Sequence, residues 1–502
     1  YMDNVKKEAY KNGYVKTLFN RKRIIPELQS KNHAVRASGE RMALNTPIQG
    51  TSADIIKKAM IEVFDAFKKE NLKSKMILQV HDELVFDCRR DELDKVIEIV
   101  TNIMENTYKF ELFIDFGGNN MKSYQLTIPS NIYAGKDSID NLVDIIDKEN
   151  VNSILVFTDK GVRAVGLCNK VEEICKTVQY RIIDDLTAEP AVADVERVIN
   201  EVGSIKYDLI IGVGGGSVMD ASKLASIILG ADYSLRDLLK DSSIAKKQIK
   251  TVMIPTTCGT GSEATCNAIV AIPEQESKQG IVNNCMIPDY VILDVNMIAK
   301  LPPKIIAATG VDALAHVVEC FTSKKATMLS DTYAKEGACK IFHNIRKAYN
   351  NANDLEAKAE MMLGAFYGGV AITGSGTTAV HALSYPLGGK YHIAHGVSNA
   401  ILFAHVMEFN KDGCKDRLAM LCDAVYPELA VKSIDEKADY IIKEIADIVK
   451  DTNIPTSLEE FGVKPDDLDF LVQAGSQQTR LLVNNCKELS LDDIRYIYKK
   501  VM

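Results

Sequence analysis

Residues 208–223 read DLIIGVGGGSVMDASK, and this stretch decides the fold. Residues 208–213 form an apolar run with the length of a buried strand, and residues 218–229 have helical periodicity. The glycines between them permit positive φ and close backbone approach. Unpaired N–H groups at the helix N-terminus then favour a pyrophosphate ligand. A plain tight turn is the alternative reading of this loop.

The surrounding segments continue the same pattern. Residues 154–157, 181–183 and 251–255 are short apolar runs that alternate with helical stretches. Strands that alternate with helices predict a parallel α/β sheet. A second loop, TTCGTGSE at 256–263, follows the strand at 251–255 and carries hydroxyls and glycines. Such loops bind ligands at the carboxyl ends of parallel strands.

Asp159 follows the strand at 154–157. A carboxylate at this place can accept a hydrogen bond from a ribose 2′-hydroxyl, and it repels a 2′-phosphate. Asp159 therefore favours NAD over NADP. A helix N-cap is an equally good interpretation of this residue.

Potential metal ligands lie in the last 200 residues, where the strand pattern ends after about residue 295 and long helical patterns follow. Asp312 and His316 are four residues apart, so a helix places them on one face. His381 and His395 are separated by Pro386 and glycines, which we expect to divide this stretch into two helices. Three imidazoles and one carboxylate suit Fe(II) and Zn(II) equally well. A DxxxH pair alone is weak evidence for a metal site, whereas four potential ligands after a nucleotide-binding domain are specific evidence for one.

Composition excludes several other classes of protein. The chain has 502 residues with 46% hydrophobic and 25% charged residues, which predicts about two to four globular domains. Eleven cysteines without a paired spacing indicate reduced thiols and a cytoplasmic location. We expect neither a membrane span nor a signal peptide. The first residue is Tyr1 rather than Met, so we expect the chain to start inside a longer or processed protein.

The N-terminal quarter differs from the rest in charge. Residues 1–60 contain 12 Lys/Arg and 5 Asp/Glu, a net charge of +7. Because the whole chain has a net charge of −8, the remaining residues have a net charge of −15. We predict a loop-like basic start, a helix at 53–69, a hairpin at 76–87 and a helix at 91–108. Residues 110–120 contain GGNN and are predicted to be a linker. The basic residues indicate a separate partner, or else a chance solvated face.

The C-terminal three-quarters resembles the iron-containing (group III) alcohol dehydrogenase family. The matching stretches are GGGSVMDASK, IPTTCGTGSE, IPDYVILD, ATGVDALAHVVE and HALSYPLGGKYHIAHGVSNAILFAHV. The resemblance implies a dinucleotide-binding parallel α/β domain at 121–294 and an all-helical metal-binding domain at 295–502. It implies NAD, one divalent metal and a homo-oligomer. It assigns Asp312, His316, His381 and His395 to the metal. It assigns these residues to the cofactor: Asp159, Gly214, Gly215, Gly216, Ser217, Asp220, Thr256, Thr257, Thr260, Ser262 and Lys278.

Two further residues are candidates for catalysis. Many members of this family have a histidine four residues after the third ligand, whereas this chain has Tyr385. A phenol with a pKa near 10 is a poorer proton relay at neutral pH than an imidazole. His392 is the other candidate, although no spacing pairs it with a partner and a structural role is its alternative.

Residues 1–108 resemble the C-terminal part of a family A DNA polymerase of the polymerase I type. The matching stretches are GYVKTLFNRKRIIPE, ERMALNTPIQGTSADIIKKAMI and LQVHDELVFD, and they imply an α+β palm fragment at 1–109. The resemblance implies a catalytic-metal position at Asp82, and primer–template contacts at Arg41, Asn45, Gln49 and His81. Phosphoryl transfer by two metals needs a second aspartate. The motif that supplies it is absent, so this fragment is incomplete for polymerisation.

Two functions from different classes follow. The first is a metal-dependent, NAD-linked dehydrogenase that converts a small primary alcohol to its aldehyde. The second is a polymerase-derived protein that binds duplex DNA weakly through residues 1–108, with an affinity that falls steeply with salt. Residues 121–502 number 382, a full dehydrogenase length, which favours the first function.

Overall fold

The structure is a computed structural model that describes residues 2–17, 19–30, 32–80, 83–106, 124–187, 190–203, 205–273 and 277–502. It divides into two compact units, Tyr1–Met121 and Lys122–Met502. The predicted linker at 110–120 lies outside the described residues.

Within its described residues, the first unit contains three α-helices and two small hairpins. Its helix α2 packs its N-terminal part in one apolar cluster with Ala9 and Val15, and its C-terminal part in another with Val96. The elements are α1 Met2–Asn12, β1 Tyr14–Lys16, β2 Lys22–Ile24, α2 His33–Lys69, β3 Lys75–Val80, β4 Glu83–Asp87 and α3 Leu93–Asn106.

The predicted loop-like start of this unit is wrong. Helix α1 and the β1–β2 hairpin occupy it, and α2 begins 20 residues earlier than the predicted helix at 53–69. Pro47 lies inside α2, where proline removes one backbone hydrogen bond and disfavours helix. Burial of Ala43 and Val63 on the same helix offsets this local preference.

The second unit begins with a six-stranded parallel sheet in the order β5-β12-β9-β8-β6-β7. Helices follow most of its strands, and a separate antiparallel hairpin, β10–β11, adjoins it in the chain. The strands are β5 Asn131–Ala134, β6 Ser153–Phe157, β7 Gln179–Ile183, β8 Leu209–Gly214, β9 Lys250–Pro255, β10 Asn267–Ile272, β11 Ser277–Val282 and β12 Tyr290–Leu293. The helices are α4 Asn141–Lys148, α5 Lys160–Ala164, α6 Asn169–Cys175, α7 Val192–Val202, α8 Gly216–Ile228 and α9 Leu235–Lys240.

The order of the sheet explains where ligands can bind. Strands β6, β8 and β9 are neighbours and run parallel, so their carboxyl ends share one edge. Asp159, the glycine loop and Thr256 follow these three strands, and the fold brings them to that edge. Every residue of β6 and β8 is buried, as expected of central parallel strands.

The chain after β12 is helical, which confirms the predicted fold class. Helix α10 is long and apolar enough to cross a membrane, but 83% of that stretch is buried inside the unit. It is therefore the core helix of this part. The helices are α10 Pro303–Thr322, α11 Met328–Asn350, α12 Leu355–Ser375, α13 Ala379–Tyr391, α14 His395–Val425, α15 Ile434–Asp451, α16 Leu468–Ser476, α17 Thr479–Leu482 and α18 Leu491–Lys499.

Candidate active site

Three helices supply the four predicted metal ligands. Asp312 and His316 lie one turn apart in the buried middle of α10. His381 lies in the first turn of α13, and His395 is the first residue of α14. One ligand atom from each of the four residues lies within 4.8 Å of the others. The structure thus brings together residues that are up to 83 positions apart in the chain.

The distances from Asp312 to the three histidines of this group, the metal cage, are close to those expected around a tetrahedral ion. Asp312 Oδ1 lies 3.5 Å from His395 Nε2, 3.6 Å from His381 Nε2 and 3.9 Å from His316 Nε2. Four ligands placed 2.0–2.2 Å from a central ion at tetrahedral angles would be separated by roughly 3.3–3.6 Å. The donor set and its spacing therefore suit Fe(II) or Zn(II).

The helix break between His381 and His395 differs from the prediction. Helix α13 continues through Pro386 and ends at Tyr391, so the break falls at residues 392–394 rather than at the proline. Two helices still present the two histidines, as expected. At the start of α14, a Cβ added at Gly396 would lie 2.1 Å from the Ala308 carbonyl oxygen of α10. Glycine is therefore required for α14 to approach α10 closely enough to complete the cage.

Two further side chains support the cage, and the sequence analysis did not identify either. Glu319, one turn beyond His316 on α10, accepts hydrogen bonds from the backbone N–H groups of Thr378 and Val380 and contacts His381 Nδ1. This contact fixes the imidazole so that Nε2 points to the other ligands. Asn399, one turn beyond His395 on α14, donates from Nδ2 to Asp312 Oδ1 at 2.7 Å. Both residues continue the helix faces that carry the ligands, and that spacing was the available signal.

Burial and charge set the protonation of the ligands. Burial lowers the pKa of His316 to about 4 and that of His395 to about 3, although Asp312 acts in the opposite direction. Burial alone would also lower the pKa of His381, but the Glu319 carboxylate raises it to about 9. Burial opposes ionisation of Asp312, yet the three imidazoles hold the pKa of its carboxyl far below the ordinary value. Asp312, His316 and His395 are thus unprotonated ligands at neutral pH.

A cavity of about 240 Å³ adjoins the cage. His316, His381 and His395 line one part of it, and the glycine loop and the β10–β11 hairpin line other parts. Its predicted cofactor residues are Gly216, Ser217, Asp220, Thr260, Ser262 and Lys278. A redox cofactor held by the glycine loop would therefore share an enclosed space with the metal.

A second cavity, of about 740 Å³, lies at the sheet edge and shares Gly216 and Ser217 with the first. Its predicted cofactor residues are Asp159, Gly215, Gly216, Ser217, Thr256 and Thr257. The N-cap interpretation of Asp159 is confirmed, because its Oδ1 accepts a hydrogen bond from Val162 N at 2.9 Å at the start of α5. Asp159 also lines this cavity, and its contact with a ribose stays a prediction. Asp184 and Asp185, which the sequence analysis did not identify, line the same cavity.

The glycines of this loop allow other groups to approach the backbone closely, and they are not needed for positive φ. Gly215 caps α8 with φ −81°, so positive φ is not what this position requires. A Cβ at Gly216 would lie 2.7 Å from the Thr260 side chain, which shows how closely the two predicted loops meet. Gly214 ends β8 and is buried below the loop, packed against Val218 rather than among the lining residues.

Comparison with known proteins now decides the family. A sequence model described as iron-containing alcohol dehydrogenase matches residues 129–295, and one described as Fe-containing alcohol dehydrogenase family, C-terminal, matches residues 306–502. Long-chain-alcohol dehydrogenase 1 of Geobacillus thermodenitrificans is 34% identical over 384 residues, which cover 76% of this chain and 97% of that protein. The chain belongs to the iron-containing alcohol dehydrogenase family.

Solved structures agree with this membership. A 1,3-propanediol oxidoreductase covers 76% of this chain with its whole length, at a TM-score of 0.73 and 26% identity. A sulfoacetaldehyde reductase from Bifidobacterium kashiwanohense, solved with NAD+, covers 76% of this chain with 99% of its own, at a TM-score of 0.69 and 25% identity. The predicted resemblance is confirmed, and the chain is an oxidoreductase of the iron-containing alcohol dehydrogenase type.

The two candidate catalytic residues of this dehydrogenase differ in position. Tyr385 lines the smaller cavity, and its ring centroid lies 6.1 Å from that of His395. Burial raises the pKa of its phenol, which the nearby Arg480 partly offsets. His392 is exposed at the C-cap of α13 with φ 54°, and it lines neither cavity. The structure therefore does not place His392 with the catalytic groups.

The dehydrogenase family does not account for the first unit. A sequence model described as DNA polymerase family A matches residues 1–122, in agreement with the resemblance. Arg41, Asn45 and Gln49 are exposed on α2. His81 and Asp82 lie outside the described residues. The predicted nucleic-acid contacts therefore remain predictions.

Proposed function

We propose that the protein is an NAD-dependent alcohol dehydrogenase that interconverts a small primary alcohol and its aldehyde. The observation that carries this proposal is the smaller cavity. Gly216 and Ser217 of the predicted pyrophosphate loop line it together with His316, His381 and His395 of the metal cage. The cofactor loop and the predicted metal ligands thus face the same small volume, which hydride transfer between a nicotinamide and a metal-activated substrate requires.

The reaction balances with NAD as the only oxidant. The alcohol loses a hydride from its carbon to NAD+ and a proton from its oxygen, giving aldehyde, NADH and H+. The divalent metal, Fe(II) or Zn(II), supplies Lewis acidity toward the substrate oxygen when bound. Asp312, His316, His381 and His395 would hold it.

Other residues of the chain orient these ligands. Glu319 keeps the Nδ1 side of His381 occupied, so that Nε2 is the atom available to the ion. Asn399 holds Asp312 Oδ1 in position. Tyr385 contributes a phenol to the cavity wall, and its raised pKa keeps it protonated near pH 7, as a hydrogen-bond donor.

The preference for NAD rests on Asp159 in the larger cavity. Its carboxylate lines the cavity, so a ribose 2′-phosphate would meet negative charge there. Asp184 and Asp185 also line the cavity, but they pair with Arg163 and Arg197. The solved relative from Bifidobacterium kashiwanohense is a complex with NAD+. We also propose a cytoplasmic location and a homo-oligomer, as the resemblance implies.

The test is reconstitution of the metal-free protein. Chelator-treated enzyme is assayed with a series of primary alcohols, NAD+ or NADP+, and added Fe(II) or Zn(II). We expect turnover to need one of these metals and to be faster with NAD+. Asp159→Ser preserves an N-cap hydroxyl for α5 and should raise the use of NADP+. Metal-independent turnover, or none with any alcohol, would contradict the proposal.

A further inference from the structure

Arg480 differs from every other arginine of residues 124–502 in its charge partner. Each of the others forms an ion pair with an Asp or Glu side chain in the described part of the chain, whereas no carboxylate there pairs with Arg480. The paired arginines are Arg163, Arg181, Arg197, Arg236, Arg346, Arg417 and Arg495. Arg480 is exposed, so water solvates its guanidinium and leaves its charge available to an anionic ligand.

The position of Arg480 shows where that anion would be. Arg480 lies on the short helix α17 and lines the smaller cavity together with the three histidines of the cage. A Cβ added at Gly280 of β11 would lie 3.0 Å from Arg480 Nη2, so the guanidinium lies close to the hairpin backbone. It is also near Tyr385, where it partly offsets the rise that burial causes in the pKa of the phenol.

The negative charges of this cavity are already neutralised. Asp220 lines the cavity, but Lys223 pairs with its Oδ1 at 3.0 Å and Ser262 Oγ donates to the same oxygen at 2.5 Å. Its Oδ2 accepts from Ile269 N at 2.8 Å. Asp312 is directed into the metal cage. An incoming anion near Arg480 would therefore not meet an uncompensated carboxylate.

We propose that Arg480 binds an anionic group at the far end of the substrate, so that the natural substrates are short aldehydes or alcohols that carry a terminal carboxylate or sulfonate. This assignment rests on the proposed function, and it adds the substrate class. The reacting oxygen is directed to the cage, and the anion accepts a bidentate hydrogen bond from the guanidinium, with the Tyr385 hydroxyl as a second donor. Arg480 then determines specificity and takes no part in the hydride transfer.

The experiment compares anionic aldehydes with uncharged aldehydes of similar chain length. Reduction by NADH is measured on the metal-loaded full chain with succinic semialdehyde and with its methyl ester, and separately with sulfoacetaldehyde and propanal. We expect the wild type to prefer each anion, and Arg480→Gln to lower kcat/KM for the anions about 10- to 100-fold. In Arg480→Gln, kcat/KM for the ester and for propanal should change less than threefold. Arg480→Lys keeps the charge without the planar fork and should lie between the two.

Arg495→Gln is the matched control, because Arg495 is a surface arginine paired with Asp469. This substitution should leave kcat/KM for all four aldehydes unchanged. The arm with the larger loss in Arg480→Gln identifies carboxylate or sulfonate as the natural group. An equal loss for charged and neutral aldehydes, or a weaker Kd for NADH in Arg480→Gln, would overturn the assignment while leaving the dehydrogenase function standing. Absence of turnover with every aldehyde in the wild type would instead overturn the dehydrogenase function and this assignment with it.

Discussion

Two buried polar clusters of the dehydrogenase unit differ in one respect. In the cluster around Lys223, the ammonium contacts Asp220, the Ser262 carbonyl and Thr265 Oγ1, so its charge and its donors are all matched within the protein. In the metal cage, three imidazoles and Asp312 direct their ligand atoms to one point, and no lysine or arginine among the described residues pairs with Asp312. Both clusters are largely buried, but only the first contains an ammonium group at its centre.

The difference separates a structural role from a ligand-binding role. A buried ion pair with satisfied hydrogen bonds holds its loop in place, and removal of one partner leaves an uncompensated charge. A convergent set of imidazole and carboxylate ligand atoms is instead the arrangement that holds a metal ion. The Lys223 cluster therefore positions the loop that lines the smaller cavity, whereas the cage is arranged to bind a ligand.

The largest effect should come from the cage. His381→Ala removes a ligand and leaves Glu319 without its partner, so we expect metal content to fall to near zero and kcat/KM to fall about 1000-fold or more. Metal analysis and steady-state kinetics measure the two. His343→Ala, a histidine of α11 outside the cage, is the control and should keep both values. Wild-type turnover in folded His381→Ala would show that the cage is not the metal site.

The second prediction concerns the Lys223 cluster. Lys223→Met leaves the Asp220 carboxylate buried without its cation, so the free energy of unfolding should fall by about 3–5 kcal/mol. Metal content per folded protein should stay the same. The double variant Asp220→Asn with Lys223→Met should recover part of the loss, because neither charge remains. Loss of metal in Lys223→Met would remove the distinction between the two clusters.

Glu263 gives a pH dependence at the edge of the Lys223 cluster. Burial raises the pKa of its carboxyl from 4.5 to about 7, since Lys223 directs its hydrogen bonds to other groups. The folded state therefore binds more protons than the unfolded state between these values, and stability falls as pH rises through 7. Glu263→Gln should remove about 2–3 kcal/mol of that fall between pH 5 and 8. Equal slopes of stability against pH in both proteins would show that Glu263 is ionised in the folded state.

The smallest effect should come from the support of the cage. Glu319→Gln keeps an acceptor for Thr378 and Val380 but removes the charge beside His381, so metal affinity should fall about 10- to 100-fold. Competition with a chelator measures the dissociation constant. Thr378→Val removes one hydrogen bond to Glu319 without removing the charge and should have a smaller effect. An unchanged dissociation constant in Glu319→Gln would show that Glu319 does not contribute to metal affinity.

The sequence predicted the elements that depend on local pattern. The strand–glycine–helix unit at 208–229 and the spacing of Asp312 and His316 are local, and the structure reproduces both. The edge strand β5 and the hairpin β10–β11 escaped prediction, because β5 (NIYA) and β11 (SKQGIV) contain no continuous apolar run of about four or more residues. Helices α2 and α13 continue through Pro47 and Pro386, since packing outweighs the lost hydrogen bond.

Only the site residues that lie within a sequence motif were predicted. Glu319 and Asn399 had the correct helical spacing, but no partner was visible in the sequence. Arg480 lies 85 residues beyond His395, and only the tertiary fold brings it to the same cavity. Conversely, His392 is close to the ligands in sequence yet exposed in the structure, because the break between α13 and α14 directs it outward.

The contact between Gly396 and the Ala308 carbonyl limits how closely helices α14 and α10 can pack. Backbone meets backbone there, so α14 can draw no nearer to α10, whereas nothing in that contact prevents the two helices from separating. The cage can therefore expand around an ion more easily than it can contract. The main chain thus sets a lower limit to the separation of the helices that carry Asp312 and His395, whatever the side chains there bind.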